Sequence, residues 1–362
     1  MSDMSLRAKR SNLKLLTSIQ SGLLCRGFAP PCNCVIILDE EKIKKVLKIK
    51  DVIKIVEDGF RKKRLGLVSL PPKMGPNLYA PGAFAESMPV AVFETQDSTK
   101  MNRRKKLQVF GIKWQSAFKS NLKKGIPYLN NLIILNEPKC GLPIAVLKGN
   151  WITAIRTAAV SAVCAKYLAP RKKELNIGIF GLGLQAFMHV LAFKSIFKKV
   201  QFILYEHNKN SLKDFLKKFP KEKFIVLKNI HKIVRSSDIV LSATTFPLKI
   251  SPYIFKNDLR DDVLILPLEY GTRIDPNIYK CLDEIYTDDI NQYELKSKLK
   301  HYFPATRPEI KIEIGDLIRK KYKRGKMPRK ILVFNLGIAL FDILVALQVL
   351  KKLKIEKGLK ID

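Results

Sequence analysis

At 362 residues and 47% hydrophobic content, the chain carries enough apolar material for two domains of ordinary size. No window approaches the ~18 uninterrupted apolar residues of a membrane span. The formal charge of +35 invites a polyanion, but the lysines are mixed with Ile and Asn throughout, not gathered into a stripe interleaved with aromatics, which argues against a specific nucleic-acid site.

Residues 1–34 hold Arg7, Lys9, Arg10, Lys14 and Arg26 against one acid, Asp3, with the breaker Pro30-Pro31. They lack the apolar stretch of a secretory signal and superficially resemble a transit peptide; a disordered basic extension is the expectation. Cys25, Cys32, Cys34, Cys140, Cys164 and Cys281 form no CxxC pair, and the four histidines offer no complementary spacing. Free thiols in a reducing cytoplasm, and no metal, follow.

From Val35 the pattern becomes regular. VIIL reads as a strand, Asp39 to Leu47 as a short helix, and Ile49 to Arg64 as an amphipathic helix with Val52, Ile55, Val56 and Phe60 on one face. After Pro71-Pro72, the runs MPVAVFE, LQVFGIKWQS and LNNLIILN, separated by turn residues, predict a small antiparallel sheet. Alternation sends Lys113 to the opposite face from Ile112 and Trp114, and a solvated, outward lysine is the default for such a position.

Thr153 to Leu168 is small, apolar and free of Gly and Pro, with Arg156 the only charge in its first half, so a buried helix is expected there. Leu175 to Phe180 reads as a buried parallel strand running into Gly181-Leu182-Gly183-Leu184-Gln185-Ala186 and a further apolar helix. Two glycines there let the backbone approach a pyrophosphate that the next helix's N-terminus receives, and Ala186 satisfies the small-residue position of that fingerprint. The strand Val200 to Tyr205 ends at Glu206, about 20 residues on, where an acid accepts from ribose hydroxyls and disfavours a 2′-phosphate. NAD is therefore the expected dinucleotide.

Beyond the turn, Ser211 to Phe219 reads as a helix, and Lys223 to Leu227, Ile239 to Ala243 and Asp262 to Leu268 as strands. Glu269 stands at the carboxyl end of the last, where open α/β sheets place ligands; a loop acid capping a neighbouring helix is an equal alternative. Val333 to Leu353 reads as one long apolar helix docking on the first domain. That helix and the apolar first sheet exceed what one subunit should expose, so a homodimer is expected.

The segments IRTAAVSAVCAKYLA, GIFGLGLQA and FNLGIALFDILVAL together resemble the ornithine cyclodeaminase and μ-crystallin family, over nearly everything from Val35 onward. The resemblance implies an α/β architecture: a Rossmann NAD-binding domain, 156–330, inserted in an α+β substrate-binding and dimerisation domain, 35–155 plus 331–362. It also implies that Arg156 holds a substrate carboxylate and that Lys113 is the active-site lysine. Lys73 stands where the family has a carboxylate-binding Arg, and lacks the bidentate fork. Tyr128 stands where cyclodeaminases have a substrate-side Thr, and Glu269 aligns with their proton-handling Asp. Thr157, Gly181, Gly183, Leu184, Gln185, Ala186, Glu206 and Thr244 would line the dinucleotide. The implied activity is NAD-dependent hydride transfer on an L-amino acid through an imine, ending in deamination of the cyclodeaminase type. Ketimine reductase, alanine dehydrogenase and opine-like dehydrogenase are alternatives, as is a non-catalytic dinucleotide-binding protein.

Overall fold

A computed structural model of the chain describes residues 35–95, 105–299, 302–322 and 324–355. The basic extension expected over residues 1–34 lies outside them. The first of two sheets is built from β1 (Ile36–Leu38), β2 (Val68–Ser69), β3 (Ala83–Thr95), β4 (Lys105–Phe118), β5 (Leu129–Asn136) and β6 (Pro143–Lys148). Helices α1 (Glu40–Val46) and α2 (Ile49–Arg64) precede β2. Asp39 starts α1 by accepting from the Lys42 backbone N–H at 2.9 Å. Val52, Val56 and Phe60 of α2 are fully buried.

The strand order is β1-β6-β5-β4-β3-β2. Neighbours are antiparallel except β1, which runs parallel to β6. The expected antiparallel sheet is thus mixed, because β6 inserts beside β1 after a long excursion through the other strands.

Helix α3 (Asn150–Leu168) joins the sheets and packs on α2. It is buried on nearly every side, which its small residues permit. The chain then builds β7 (Leu175–Phe180), α4 (Leu184–Ile196), β8 (Val200–Tyr205), α5 (Lys209–Lys217), β9 (Phe224–Val226), α6 (Ile230–Ser236), β10 (Ile239–Ser242) and β11 (Val263–Pro267). It finishes with β12 (Glu284–Thr287), α7 (Ile290–Lys296), α8 (Ile314–Arg319), β13 (Lys330–Phe334) and α9 (Ala339–Lys352). The second sheet is wholly parallel, in the order β12-β13-β11-β10-β7-β8-β9. Connections run outward one way from β7 and the other way from β10, leaving a crevice between their carboxyl ends.

The helix expected over Val333 to Leu353 is in fact a strand, a turn and a helix. Ile331 to Phe334 is a short apolar run that periodicity cannot tell from a buried helix turn, and Gly337, at φ 80°, breaks the chain before α9. Residues 331–334 therefore belong to the parallel sheet, and the chain returns to the first sheet only with α9, which packs on β3, β4 and β5. Likewise α3 is one unbroken helix across the boundary expected at 155/156.

Apart from the partly exposed Leu347, the apolar residues of α9 are buried within the chain. The outer face of the first sheet exposes more apolar surface. Ile112, Ile134, Val146 and Ile37 lie in register across β4, β5, β6 and β1, beside the pair Trp114 and Leu132, 43% and 44% exposed. Among the described residues no helix is long and apolar enough to cross a membrane.

Candidate active site

Alternation on β4 does separate Lys113 from Ile112 and Trp114, but the face it takes is the buried one. Lys113 is fully enclosed, while Trp114 faces out. The expected solvated lysine is overturned because both faces of this strand carry apolar residues, and α9 covers the Lys113 side.

Asp342 of α9 meets it there. Its Oδ1 lies 3.2 Å from Lys113 Nζ and accepts from Thr153 Oγ1 at 3.1 Å, and its Oδ2 lies 3.1 Å from Arg156 Nε. Two cations thus share one acid inside the protein, on residues from a strand and two helices. Burial lowers the Lys113 pKa to about 7, with the Arg156 charge adding to the effect and Asp342 only partly opposing it. Burial would raise the Asp342 carboxyl, yet Arg156 and Lys113 hold it below its usual value. The Arg156 guanidinium fills the space over Gly337, where a Cβ would stand 3.3 Å from Nη1. The Asp288 carboxylate fixes that turn by accepting from the Leu336 and Gly337 N–H groups at 3.0 and 2.8 Å. Burial pushes Asp288 up to about 6.

Lys73 is also buried. It donates to the Tyr270 hydroxyl at 2.9 Å and to the Leu336 carbonyl at 2.8 Å, and stands 3.7 Å from Glu86. Glu86 and Gln115 are cross-strand partners on the face that Lys113 shares, and Gln115 donates to Glu86 at 2.6 Å. Lys296, from α7, closes on the other Glu86 oxygen. Burial would raise Glu86, but Lys73 and Lys296 bring it down to about 2. Tyr128, at the start of β5, has its phenol pushed up to about 12 by burial, and its charge would be felt by Tyr270 and Tyr302.

The crevice between β7 and β10 holds the glycine turn. Gly181 adopts φ 82°, and a Cβ there would stand 2.8 Å from the Ala243 carbonyl oxygen, so only glycine fits. Gly183 is the N-cap of α4, with no atom within 4 Å of where its Cβ would stand. Open space thus lies over the N-terminal N–H groups of a 13-residue helix. Leu184 is half exposed, the Gln185 side-chain oxygen is buried without a hydrogen-bond partner, and Ala186 is fully buried against the sheet. Glu206 sits at the end of β8 and accepts from the Leu182 and Asn208 N–H groups at 3.1 and 2.9 Å. Thr157 bonds back to the Thr153 carbonyl at 2.7 Å.

Glu269 is buried at the end of β11 and turned toward β10, where it accepts from Ser242 Oγ at 2.6 Å and from both the N–H and the hydroxyl of Thr244. Burial raises its pKa, against those donors. Of the expected residues, Lys73, Lys113 and Arg156 converge on one buried region, Glu269 and Thr244 on a neighbouring strand end, and Gly181, Gly183, Leu184, Gln185, Ala186 and Glu206 on the glycine turn, whereas Tyr128 lies toward Tyr270 and Tyr302 and Thr157 on α3 bonds only within its own helix. Sequence reasoning missed Asp342, Glu86 and Lys296. Asp342 had a signal, a lone acid in an apolar helix, which demands a buried partner. The other two had none.

The family model for ornithine cyclodeaminase/mu-crystallin matches residues 35–357. The nodulation efficiency protein NfeD of Rhizobium meliloti is 27% identical over 240 residues, 65% of this chain and 73% of that protein. Alanine dehydrogenase of Archaeoglobus fulgidus is 30% identical over 181 residues, which is 50% of this chain and 51% of that one. The solved structure of Thermococcus litoralis Delta(1)-pyrroline-2-carboxylate reductase in complex with NADH and L-proline shares the fold at a TM-score of 0.74 and 24% identity, covering 89% of this chain and 98% of that one.

Proposed function

The chain belongs to the ornithine cyclodeaminase/mu-crystallin family, and from that premise we propose that it is an NAD-dependent enzyme transferring a hydride between the α-carbon of an L-amino acid and the nicotinamide, by way of an imine. One observation carries this reading: α3 brings Arg156 to the buried Lys113 and Asp342 and then, after one strand, leads into the glycine turn. The relatives named alanine dehydrogenase and Delta(1)-pyrroline-2-carboxylate reductase support it by their activities.

The open cradle above Gly183, the glycine-only approach at Gly181 and the acid at Glu206 fit a dinucleotide. NAD, when bound, supplies the two-electron hydride acceptor. Arg156 and Lys73 hold the substrate carboxylate and thereby fix which α-hydrogen points at the cofactor. Lys113, neutral above pH about 7, accepts the proton of the α-ammonium so that the nitrogen lone pair is free to form the imine. Glu269, already saturated by Ser242 and Thr244, orients the Thr244 loop at the crevice. A proton-shuttling role for it requires release from those donors. Capture of the imine by a side-chain amine gives cyclodeamination; capture by water gives net oxidation to a keto acid.

A screen of L-amino acids, keto acids and cyclic imines, following NADH absorbance and ammonia together, tests the proposal. Silence in both signals across the panel, with dinucleotide bound, leaves only a binding protein. In a titration of nicotinamide fluorescence, NADH is expected to bind at least about tenfold more tightly than NADPH, since Glu206 would face the added 2′-phosphate. Equal affinities remove that role from Glu206.

We further propose a homodimer through the outer face of the first sheet, where the apolar row at Ile37, Ile112, Ile134 and Val146 lies beside exposed Trp114 and Leu132. Sedimentation at micromolar concentration should give twice the chain mass, and Trp114→Lys should shift it toward monomer. A wild-type monomer contradicts this assembly.

A further inference from the structure

From the Lys296 latch we infer that the substrate has a neutral, apolar side chain, and that Lys296 bars a second ammonium from the pocket. The inference rests on the hydride-transfer reading above and narrows it. A diamino acid brings two positive groups, the α-ammonium and the side-chain ammonium, and the second needs a carboxylate to replace its lost hydration.

Among the described residues, every carboxylate of this region is already committed. Asp342 is shared by Lys113 and Arg156. Glu269 is closed by Ser242 and Thr244, and Asp288 by two backbone N–H groups. Glu86, buried on β3 in the wall beside Lys73, is held by Gln115 on one oxygen and Lys296 on the other, with Lys73 at 3.7 Å. With Lys73 given to the α-carboxylate, Glu86 is matched by Lys296 and has no charge to spare for a further ammonium, which the Lys296 ammonium beside it repels.

Neither lysine serves a side-chain carboxylate: Lys296 is turned onto Glu86, and Lys73, donating to Tyr270 and the Leu336 carbonyl, is the one assigned above to the α-carboxylate. What the wall offers instead is aromatic surface. The Tyr270 ring lies under Lys73 and the Tyr302 ring under Lys296, each with the ammonium 5.6 Å from the ring centre, and Phe246 packs on both rings. Such a surface takes hydrocarbon.

The pair Glu86–Lys296 also joins the two sheets, β3 of the first to the α7 region of the second, across 210 residues of sequence. The charge that sets selectivity therefore sits on the part of the molecule that carries the dinucleotide crevice. Its chemical consequence concerns the fate of the imine. Without a side-chain amine no ring closes, so the reaction is net redox: the amino acid loses a hydride to NAD+ and a proton to solvent through Lys113, giving the imino acid and NADH. Water then adds to the imine carbon and ammonium leaves.

L-norleucine and L-ornithine test this directly, since they differ in a terminal methyl against an ammonium. With NAD+ present, the wild-type protein should favour norleucine in kcat/KM by on the order of a hundredfold. In Lys296→Met, which frees Glu86, that preference should shrink by about tenfold or more. Calorimetric binding of the two amino acids to the wild-type protein and to Lys296→Gln reads the same ratio without turnover, and covers the case in which the Met variant does not fold. Ornithine or L-glutamate bound better than norleucine by the wild type, or a ratio unmoved in both variants, overturns the inference. Selective norleucine binding without hydride transfer would sustain the pocket and sink the catalytic reading; failure of all three amino acids to bind at millimolar levels sinks both.

Discussion

Lys113→Met should lower kcat/KM for amino-acid oxidation by about a thousandfold while leaving NADH affinity unchanged. The methionine fills the same buried volume on β4 without a proton acceptor, and the glycine turn does not touch it. The wild-type pH profile carries the sign of the argument. Burial places the Lys113 pKa at about 7, so the lysine is a cation below that value and a base above it. The wild-type kcat/KM should rise with pH through about 7 and then level, and the residual activity of Lys113→Met should lack that rise. A variant that keeps full activity, or a wild-type profile that falls across this range, removes Lys113 from the proton transfer.

The second large effect is expected at Asp342, and it is a loss of stability as well as of activity. Asp342→Ala leaves Lys113 and Arg156 facing one another inside the protein with no counter-charge. Removing one partner of a buried ion cluster costs about 3–5 kcal/mol, which lowers Tm by roughly 5 °C for a chain of this size. The pH dependence follows from which cation is able to yield. Arg156 stays charged, whereas Lys113 is able to shed its proton, the more readily once Asp342 no longer supports its charge. The unfolded chain keeps Lys113 protonated up to its ordinary pKa, so in the variant stability should climb as pH rises from about 6 to 8. Thermal denaturation across that range measures it. Lys113→Met in the Asp342→Ala background should recover part of the lost stability, because only one uncompensated cation then remains. Additive losses in the double variant would mean that the three groups do not act as a unit.

Most of the parallel sheet was legible in the sequence, and for a simple reason. A strand buried on both faces is a short unbroken apolar run, so Leu175–Phe180 and Val200–Tyr205 were readable to the residue, and the glycine turn between them is a local device whose function depends on neighbouring atoms. Helix α2 was equally plain, because one apolar stripe at helical spacing requires no knowledge of what covers it.

The strand β13 was not legible, since its four apolar residues, Ile331 to Phe334, preceding another apolar stretch merge into one helix-like segment until Gly337 is seen to turn. The site divides in the same way. Sequence alone determined that Lys113 opposes Ile112 and Trp114, because alternation is a property of the strand itself. Which face became the interior was decided only when α9 laid Asp342 against it. The Glu86–Lys296 latch was beyond any local pattern: one partner lies on strand β3 and the other on helix α7, 210 residues apart, and a charge is buried only where tertiary packing has brought its counter-charge within reach and excluded water from both.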